Sequence, residues 1–88
     1  MTLNIDLLKK KIIYRSNYRG TKEMDKLLGS FTKKYIEILS LKDLTDLENL
    51  LDIDDTNLYN YYNGLDYDIK IKDKYIYSLF KNFKYNAV

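Results

Sequence analysis

The sequence of 88 residues contains no cysteine, no histidine and no proline, and the first two absences narrow its function. Without cysteine there are no disulfides, no thiolate nucleophiles and no thiolate metal ligands. Without histidine there is no usual general base at neutral pH and no imidazole ligand. Carboxylates, lysines and tyrosines remain for any acid–base chemistry. We therefore expect no catalytic residues and no metal site, and a helper or binding role rather than an enzyme.

Long apolar runs are also missing. No stretch approaches the roughly 18 apolar residues of a membrane-spanning helix, and the N-terminus lacks the pattern of a signal peptide. We expect no membrane insertion and a cytoplasmic location. A composition of 45% hydrophobic and 32% charged residues is typical of a soluble globular chain. Its length suits one small helical domain over residues 1–88, with little stability to spare.

The net charge of +2 conceals a segregation of charge along the chain. Residues 1–42 carry ten Lys/Arg and four Asp/Glu, whereas residues 43–68 carry eight acids and no base. A basic half is typical of nucleic-acid binding, but the acidic middle would repel the same phosphates if the two surfaces lay close together. We therefore expect no nucleic-acid partner. A basic DNA-binding helical module, recognisable by steeply salt-dependent binding, stays as an alternative.

The spacing of apolar residues predicts an all-α fold, a small antiparallel bundle of about five helices. A first helix is predicted over about residues 4–18, with two neighbouring stripes. These are Ile5, Leu8 and Ile12, and Leu7, Tyr14 and Tyr18. The strongest period predicts a second helix from Met24 to Leu39. Gly29 lies off the apolar stripe of this helix. We attribute the presence of a glycine there to the close approach of a neighbouring backbone.

Capping residues predict the remaining helices. Ser40 opens a third helix that ends near Asp52, and Asp54 or Asp55 opens a short fourth that ends at a left-handed Gly64. Tyr61 and Tyr62 are predicted in the core, whereas Tyr59 fits either the core or a contact surface. Apolar and charged residues alternate over residues 69–72, as in a strand. Apolar residues from position 69 to Phe83 also follow helical spacing. A fifth helix is favoured there, because a lone strand would have no partner.

The segment 18–25 joins the two strongest helical patterns. Gly20 can adopt a positive φ or permit close backbone approach, and Gly20 or Thr21 can cap the second helix. Glu23 and Asp25 then lie in its first turn, where the helix dipole favours carboxylates. Spacing alone leaves two interpretations open. Either Arg19 merely pairs with Glu23 across the turn, or a guanidinium and two carboxylates beside a bare glycine form a flat polar patch for another protein.

Two stretches of the chain resemble the SdhE family, also called succinate dehydrogenase assembly factor 2. The family signature R-G-x-x-E-x-D is filled by Arg19, Gly20, Glu23 and Asp25. A downstream element, L-L-x-x-D-D-x-x-L, matches residues 50–58. The resemblance covers roughly residues 8–64. One departure is that Tyr61 and Tyr62 stand where family members often have tryptophan, which implies softer packing of the fourth helix.

The resemblance implies an assembly factor that binds the flavoprotein subunit of succinate dehydrogenase, or of the related fumarate reductase. It promotes covalent attachment of FAD to a histidine of that client. Carried over, Arg19, Gly20, Glu23 and Asp25 are the partner-binding surface near the client's flavin site. FAD is then carried by the partner, and this chain, which lacks G-x-G-x-x-G, binds no cofactor itself. We expect a monomer. The remaining alternative is a small antitoxin-like interaction protein.

Overall fold

The computed structural model describes residues 4–66 and 74–84, and these residues form five α-helices and no strand. The helices are α1 (Ile5–Asn17), α2 (Lys22–Tyr35), α3 (Leu41–Leu51), α4 (Asp55–Tyr62) and α5 (Tyr75–Lys81). The prediction of an all-α bundle of about five helices is therefore confirmed. The ambiguous stretch 69–72 lies outside the described residues.

Side-chain caps set the start of the first four helices. In each, the cap accepts a hydrogen bond from the backbone N–H three residues further on, and such a cap stabilises a helix by about 1 kcal/mol. The caps are Asn4, Thr21, Ser40 and Asp54. The cap of α2 is thus Thr21 rather than Gly20, and that of α4 is Asp54 rather than Asp55. Beyond α4, Gly64 has a φ of 72°, which confirms the predicted left-handed residue.

Helix α2 ends earlier than its apolar period predicts. Its last residue is Tyr35, and the stripe that predicted helix as far as Leu39 was wrong beyond this point. Ile38 is 75% exposed, whereas Ile36, which lies off the stripe, is buried. The reason is a turn, closed by a hydrogen bond of 3.0 Å from the Ile38 N–H to the Tyr35 carbonyl, that leads into the cap of α3.

The core lies where α1 packs on α2 and α3, and where α5 packs on α3 and α4. Its fully buried apolar side chains each contribute about 1.5 to 3 kcal/mol through burial. They are Ile12, Leu28, Phe31, Leu44, Leu47, Leu50, Leu51, Leu58, Ile76 and Phe80. The second predicted stripe of α1, with Leu7, Tyr14 and Tyr18, faces solvent instead. Within residues 4–66 and 74–84, no helix has the length and apolarity needed to cross a bilayer.

Two tyrosines fasten α4 to α5. The buried Tyr61 donates its hydroxyl to the Tyr77 carbonyl at 3.2 Å, and the half-buried Tyr62 donates to the Phe83 carbonyl at 2.5 Å. The Tyr62 ring also lies 5.1 Å from the ring of Phe80. The softer packing of the fourth helix that the family resemblance implied for these two tyrosines stays a prediction.

Candidate functional site

The four predicted site residues all lie at the corner between α1 and α2, but they face different ways. Gly20 and Glu23 are exposed to solvent, whereas Arg19 and Asp25 are partly buried. The fold therefore divides the motif into two residues that hold the corner and two that are available at its surface. Their role in partner binding stays a prediction.

Arg19 ties this corner to the turn between α3 and α4. Its Nε donates to Oδ1 of Asp55 at 2.8 Å, and its Nη1 and Nη2 donate to the carbonyls of Leu51 and Ile53, each at 2.6 Å. The Arg19 side chain is only 10% exposed. The interpretation that Arg19 pairs with Glu23 was therefore wrong. The guanidinium is also directed inward instead of contributing to a flat surface patch.

Asp25 fixes the backbone of the corner from the first turn of α2. Its carboxylate accepts a short hydrogen bond from the backbone N–H of Arg19. The partial positive charge at the start of a helix favours a carboxylate in this position. Together with the cap by Thr21, this bond sets the direction in which α2 leaves the corner.

Gly20 is favoured by a close neighbour rather than by its φ angle. Among the described residues only Gly64 has a positive φ, so the alternative of a left-handed Gly20 was wrong. A Cβ placed on Gly20 would lie 3.0 Å from Oδ2 of Asp55. The approaching group is thus a side chain and not the backbone that we expected. Any side chain at position 20 would press on the carboxylate that binds Arg19.

Gly29 likewise faces a side chain where a backbone was expected. Its Cβ position, on the α2 face toward α1, is occupied by the amide oxygen of Asn17. Asn17 is held there by a hydrogen bond of 2.8 Å to the Ile13 carbonyl. The glycine therefore makes room for the last residue of α1.

Glu23 is the one free charge of the motif. Its carboxylate makes no ion pair or hydrogen bond with any residue of 4–66 or 74–84. It lies on the rim of a groove between α2 and α4, which we call the α2–α4 groove. Tyr59 of α4 lies opposite and is 46% exposed. The structure thereby assigns Tyr59, which the sequence left open, to the surface.

A ladder of three ion pairs joins the basic and acidic segments of the sequence. The cations Lys11, Arg15 and Arg19 follow one another at intervals of four residues along α1 and into the corner. They pair with Glu48, Asp52 and Asp55 at 2.9, 2.6 and 2.8 Å. The first two pairs are at the surface and contribute about 0 to 1 kcal/mol each. Three cations of the basic half are thereby paired with acids of the middle segment, and the expectation that the chain has no nucleic-acid partner stays a prediction.

The ladder also shows what sequence reasoning missed. From spacing, Asp55 was predicted as a possible helix cap, yet it is the carboxylate that binds Arg19. The two residues are 36 positions apart, so no helical spacing relates them. The sequence offered one signal for this contact: Arg19 lies in one of the two stretches that resemble the family, and Asp55 lies in the other.

Two neighbouring features bear on the chemistry of the site. Hydrogen bonds from the Asn57 side chain and backbone hold the pKa of Asp54, the cap of α4, below its ordinary value. In the part of the chain that the structure describes, no group of acidic residues is arranged to hold a metal ion. The corner and the groove offer hydrogen bonds, charge and an aromatic ring, which are the means of binding another macromolecule.

Comparison with known proteins points to one family. A family model described as "Flavinator of succinate dehydrogenase" matches residues 10–84. FAD assembly factor SdhE of Acetobacter pasteurianus is 33% identical over 61 residues, which are 69% of this chain and 56% of that protein. Mitochondrial succinate dehydrogenase assembly factor 2 of Lodderomyces elongisporus is 36% identical over 64 residues, 73% of this chain and 38% of the relative.

A third relative, from Dictyostelium discoideum, carries the same name as the Lodderomyces protein. It is 40% identical over 57 residues, 65% of this chain and 40% of its own length. The chain thus spans between 38 and 56% of the length of these relatives. No solved structure matches the chain significantly.

Proposed function

Because the chain belongs to the SdhE family of succinate dehydrogenase flavinators, we propose that it binds the flavoprotein subunit of succinate dehydrogenase and promotes covalent attachment of FAD to it. A fumarate reductase flavoprotein is the related candidate client. In this proposal the group that bonds to the flavin is a histidine of the client, so this chain, which has no histidine or cysteine, need not supply a nucleophile. This chain acts as an assembly factor and not as an enzyme with its own nucleophile.

The observation that supports this proposal most strongly is the division of labour within the motif. Arg19 and Asp25 use their polar groups to hold the corner, whereas Gly20 and Glu23 are left at its surface. A rigid corner with a free carboxylate and no side chain at position 20 suits close approach by another protein. All four motif residues thus serve partner binding, two by contact and two by support.

The mechanism that we propose is conformational. Docking on the corner fixes the orientation of the client around its FAD, so that the client histidine and the flavin are held in a near-attack arrangement. FAD itself is bound by the client. This chain lacks the dinucleotide fingerprint, and the concavities beside Glu23 are open at the surface.

Covalent flavin on the client tests the proposal directly. The client subunit is incubated with FAD, with and without this chain, and flavin fluorescence is read after denaturing gel separation. Glu23→Ala should lose the stimulation while keeping the melting temperature, because the side chain is exposed and unpaired. Glu37→Ala, which removes another exposed glutamate, should stimulate like the wild type.

Two results would count against this function. If the wild-type chain fails to raise covalent flavin on either client, the proposed activity is lost. If both Glu23→Ala and a large residue at Gly20 stimulate fully, the motif has no part in the mechanism. A large residue at Gly20 should exclude the client sterically, but the Asp55 carboxylate lies 3.0 Å from the Cβ position. The stability of that variant must therefore be measured alongside its activity.

A further inference from the structure

The Asp55 carboxylate lies against the bare glycine of the corner, and its two oxygens have different surroundings. Oδ1 accepts the hydrogen bond from Nε of Arg19 at 2.8 Å. Oδ2 lies 3.0 Å from the position that a Cβ on Gly20 would occupy. One oxygen therefore holds the corner from inside, whereas the other is left uncovered because residue 20 has no side chain.

The second oxygen of Asp55 is free to bind another molecule. Oδ2 makes no hydrogen bond with any residue of 4–66 or 74–84. In the same part of the chain, no buried polar atom of a side chain lacks a partner, so Oδ2 is reached from the surface. The Asp55 side chain as a whole is 28% exposed. Because an ionised carboxylate only accepts hydrogen bonds, the group that meets Oδ2 must be a donor.

Asp55 also connects the concavities on the two sides of Gly20. The α2–α4 groove, of about 330 Å³, is lined by Asp55 together with Glu23, which follows the glycine. Another concavity, of about 320 Å³, is lined by Asp55 together with Tyr18, which precedes the glycine. A client segment that crosses the corner from one concavity to the other therefore passes close to Gly20 and Oδ2.

The surroundings of Oδ2 indicate which kind of donor fits. The Asp55 carboxylate is already paired with the Arg19 guanidinium, so a second cation is not needed to balance its charge. The approach to Oδ2 leads over a residue without a side chain, which lets a main chain come close. A main-chain N–H meets both conditions, and its hydrogen bond to an ionised acceptor is of the stronger, charge-assisted kind.

We propose that Asp55 is a client-binding residue, whose Oδ2 accepts a hydrogen bond from a main-chain N–H of the client flavoprotein where the client crosses Gly20. This inference rests on the proposed function and adds a contact beyond the four motif residues. Because Arg19 holds Oδ1, Oδ2 is presented in a fixed place. The glycine then serves two purposes, since a side chain at position 20 would cover the acceptor as well as exclude the client.

Asp55→Asn replaces this acceptor by a donor with little change of shape. Its amide oxygen can still accept from Arg19, while its NH₂ group takes the place of Oδ2. In biolayer interferometry with the purified, FAD-free flavoprotein subunit, we expect binding to weaken about tenfold or more. Asp52→Asn is the matched control. Asp52 pairs with Arg15 at 2.6 Å and is 65% exposed, so this variant loses the same charge but should bind like the wild type.

Two further measurements identify the client group and the part played by Gly20. In hydrogen–deuterium exchange at saturating concentrations, one client peptide should be protected by the wild-type chain but not by Asp55→Asn, since main-chain amides are what exchange reports. Gly20→Ala should also weaken binding, because its Cβ covers Oδ2. The double variant should bind little more weakly than either single variant, because both changes remove one shared contact.

The possible failures are distinguishable. Four results would overturn the contact and leave the proposed function standing: wild-type affinity of a folded Asp55→Asn, an equal loss in Asp52→Asn, no client peptide whose protection depends on Asp55, or strictly additive losses in the double variant. No binding of the client by the wild-type chain would overturn both. Circular dichroism checks that each variant folds. If Asp55→Asn does not, Gly20→Ala decides, because full affinity for the client would show that Oδ2 need not be uncovered.

Discussion

Replacing Arg19 tests whether the motif arginine holds the fold or only meets a partner. In Arg19→Ala, the Asp55 carboxylate loses its cation and the carbonyls of Leu51 and Ile53 lose their donors. Removing one partner of a buried ion pair costs about 3 to 5 kcal/mol. The Asp55 side chain keeps 28% of its exposure and can recover water, so we expect a loss of about 2 to 4 kcal/mol here.

This loss is large for so small a chain. A chain of this size has a free energy of unfolding of about 4 to 13 kcal/mol, so Arg19→Ala should unfold at a much lower urea concentration or be partly unfolded in buffer. Arg19→Lys retains a cation but not the planar fork that reaches three acceptors. We expect the lysine to pair with Asp55 but not to reach both carbonyls. The free energy of unfolding should fall by about 1 to 2 kcal/mol.

Urea unfolding followed by far-ultraviolet circular dichroism measures these differences. Lys22→Ala is the matched control, because Lys22 is an exposed cation at the same corner and its removal should change the free energy of unfolding by less than about 0.5 kcal/mol. If Arg19→Ala unfolds within about 0.5 kcal/mol of the wild type, the guanidinium does not hold the two turns together. Its role would then have to be explained by the partner alone.

Two further predictions concern helix packing and pH. Gly29→Ala alone should be nearly neutral in urea unfolding, because a helix-propensity gain of about 1 kcal/mol is offset by displacement of Asn17. Combined with Asn17→Ala it should be stabilising, and strict additivity of the two changes would contradict the packing described. Because the pKa of Asp54 is lowered on folding, its carboxylate stabilises the fold above its ordinary pKa of 3.8, and this contribution is lost as pH falls through the lower folded value. Asp54→Asn keeps a capping oxygen without that titration, so its melting temperature should fall less at acid pH, and an equal fall in both proteins would refute the assignment.

Much of the local structure was readable from the chain itself. Caps and helix starts depend on residues three or four positions apart, and Ser40, Thr21 and Asp54 are recognisable on that scale. Gly64 was identified as left-handed for the same reason. The end of α2 was not, because an apolar period continues in sequence through the turn that follows Tyr35 and leads into the cap of α3. Periodicity reports which residues would share a face if the helix went on, not whether it does.

The corner illustrates the boundary between local and tertiary information most clearly. The sequence by itself determined that Arg19, Gly20, Glu23 and Asp25 lie together, since they occupy one junction between two helices. Only the tertiary structure decided that Arg19 turns inward and Glu23 outward. The deciding partner, Asp55, lies 36 residues away. Its position depends on the packing of α1 on α3, which no spacing within a single helix encodes.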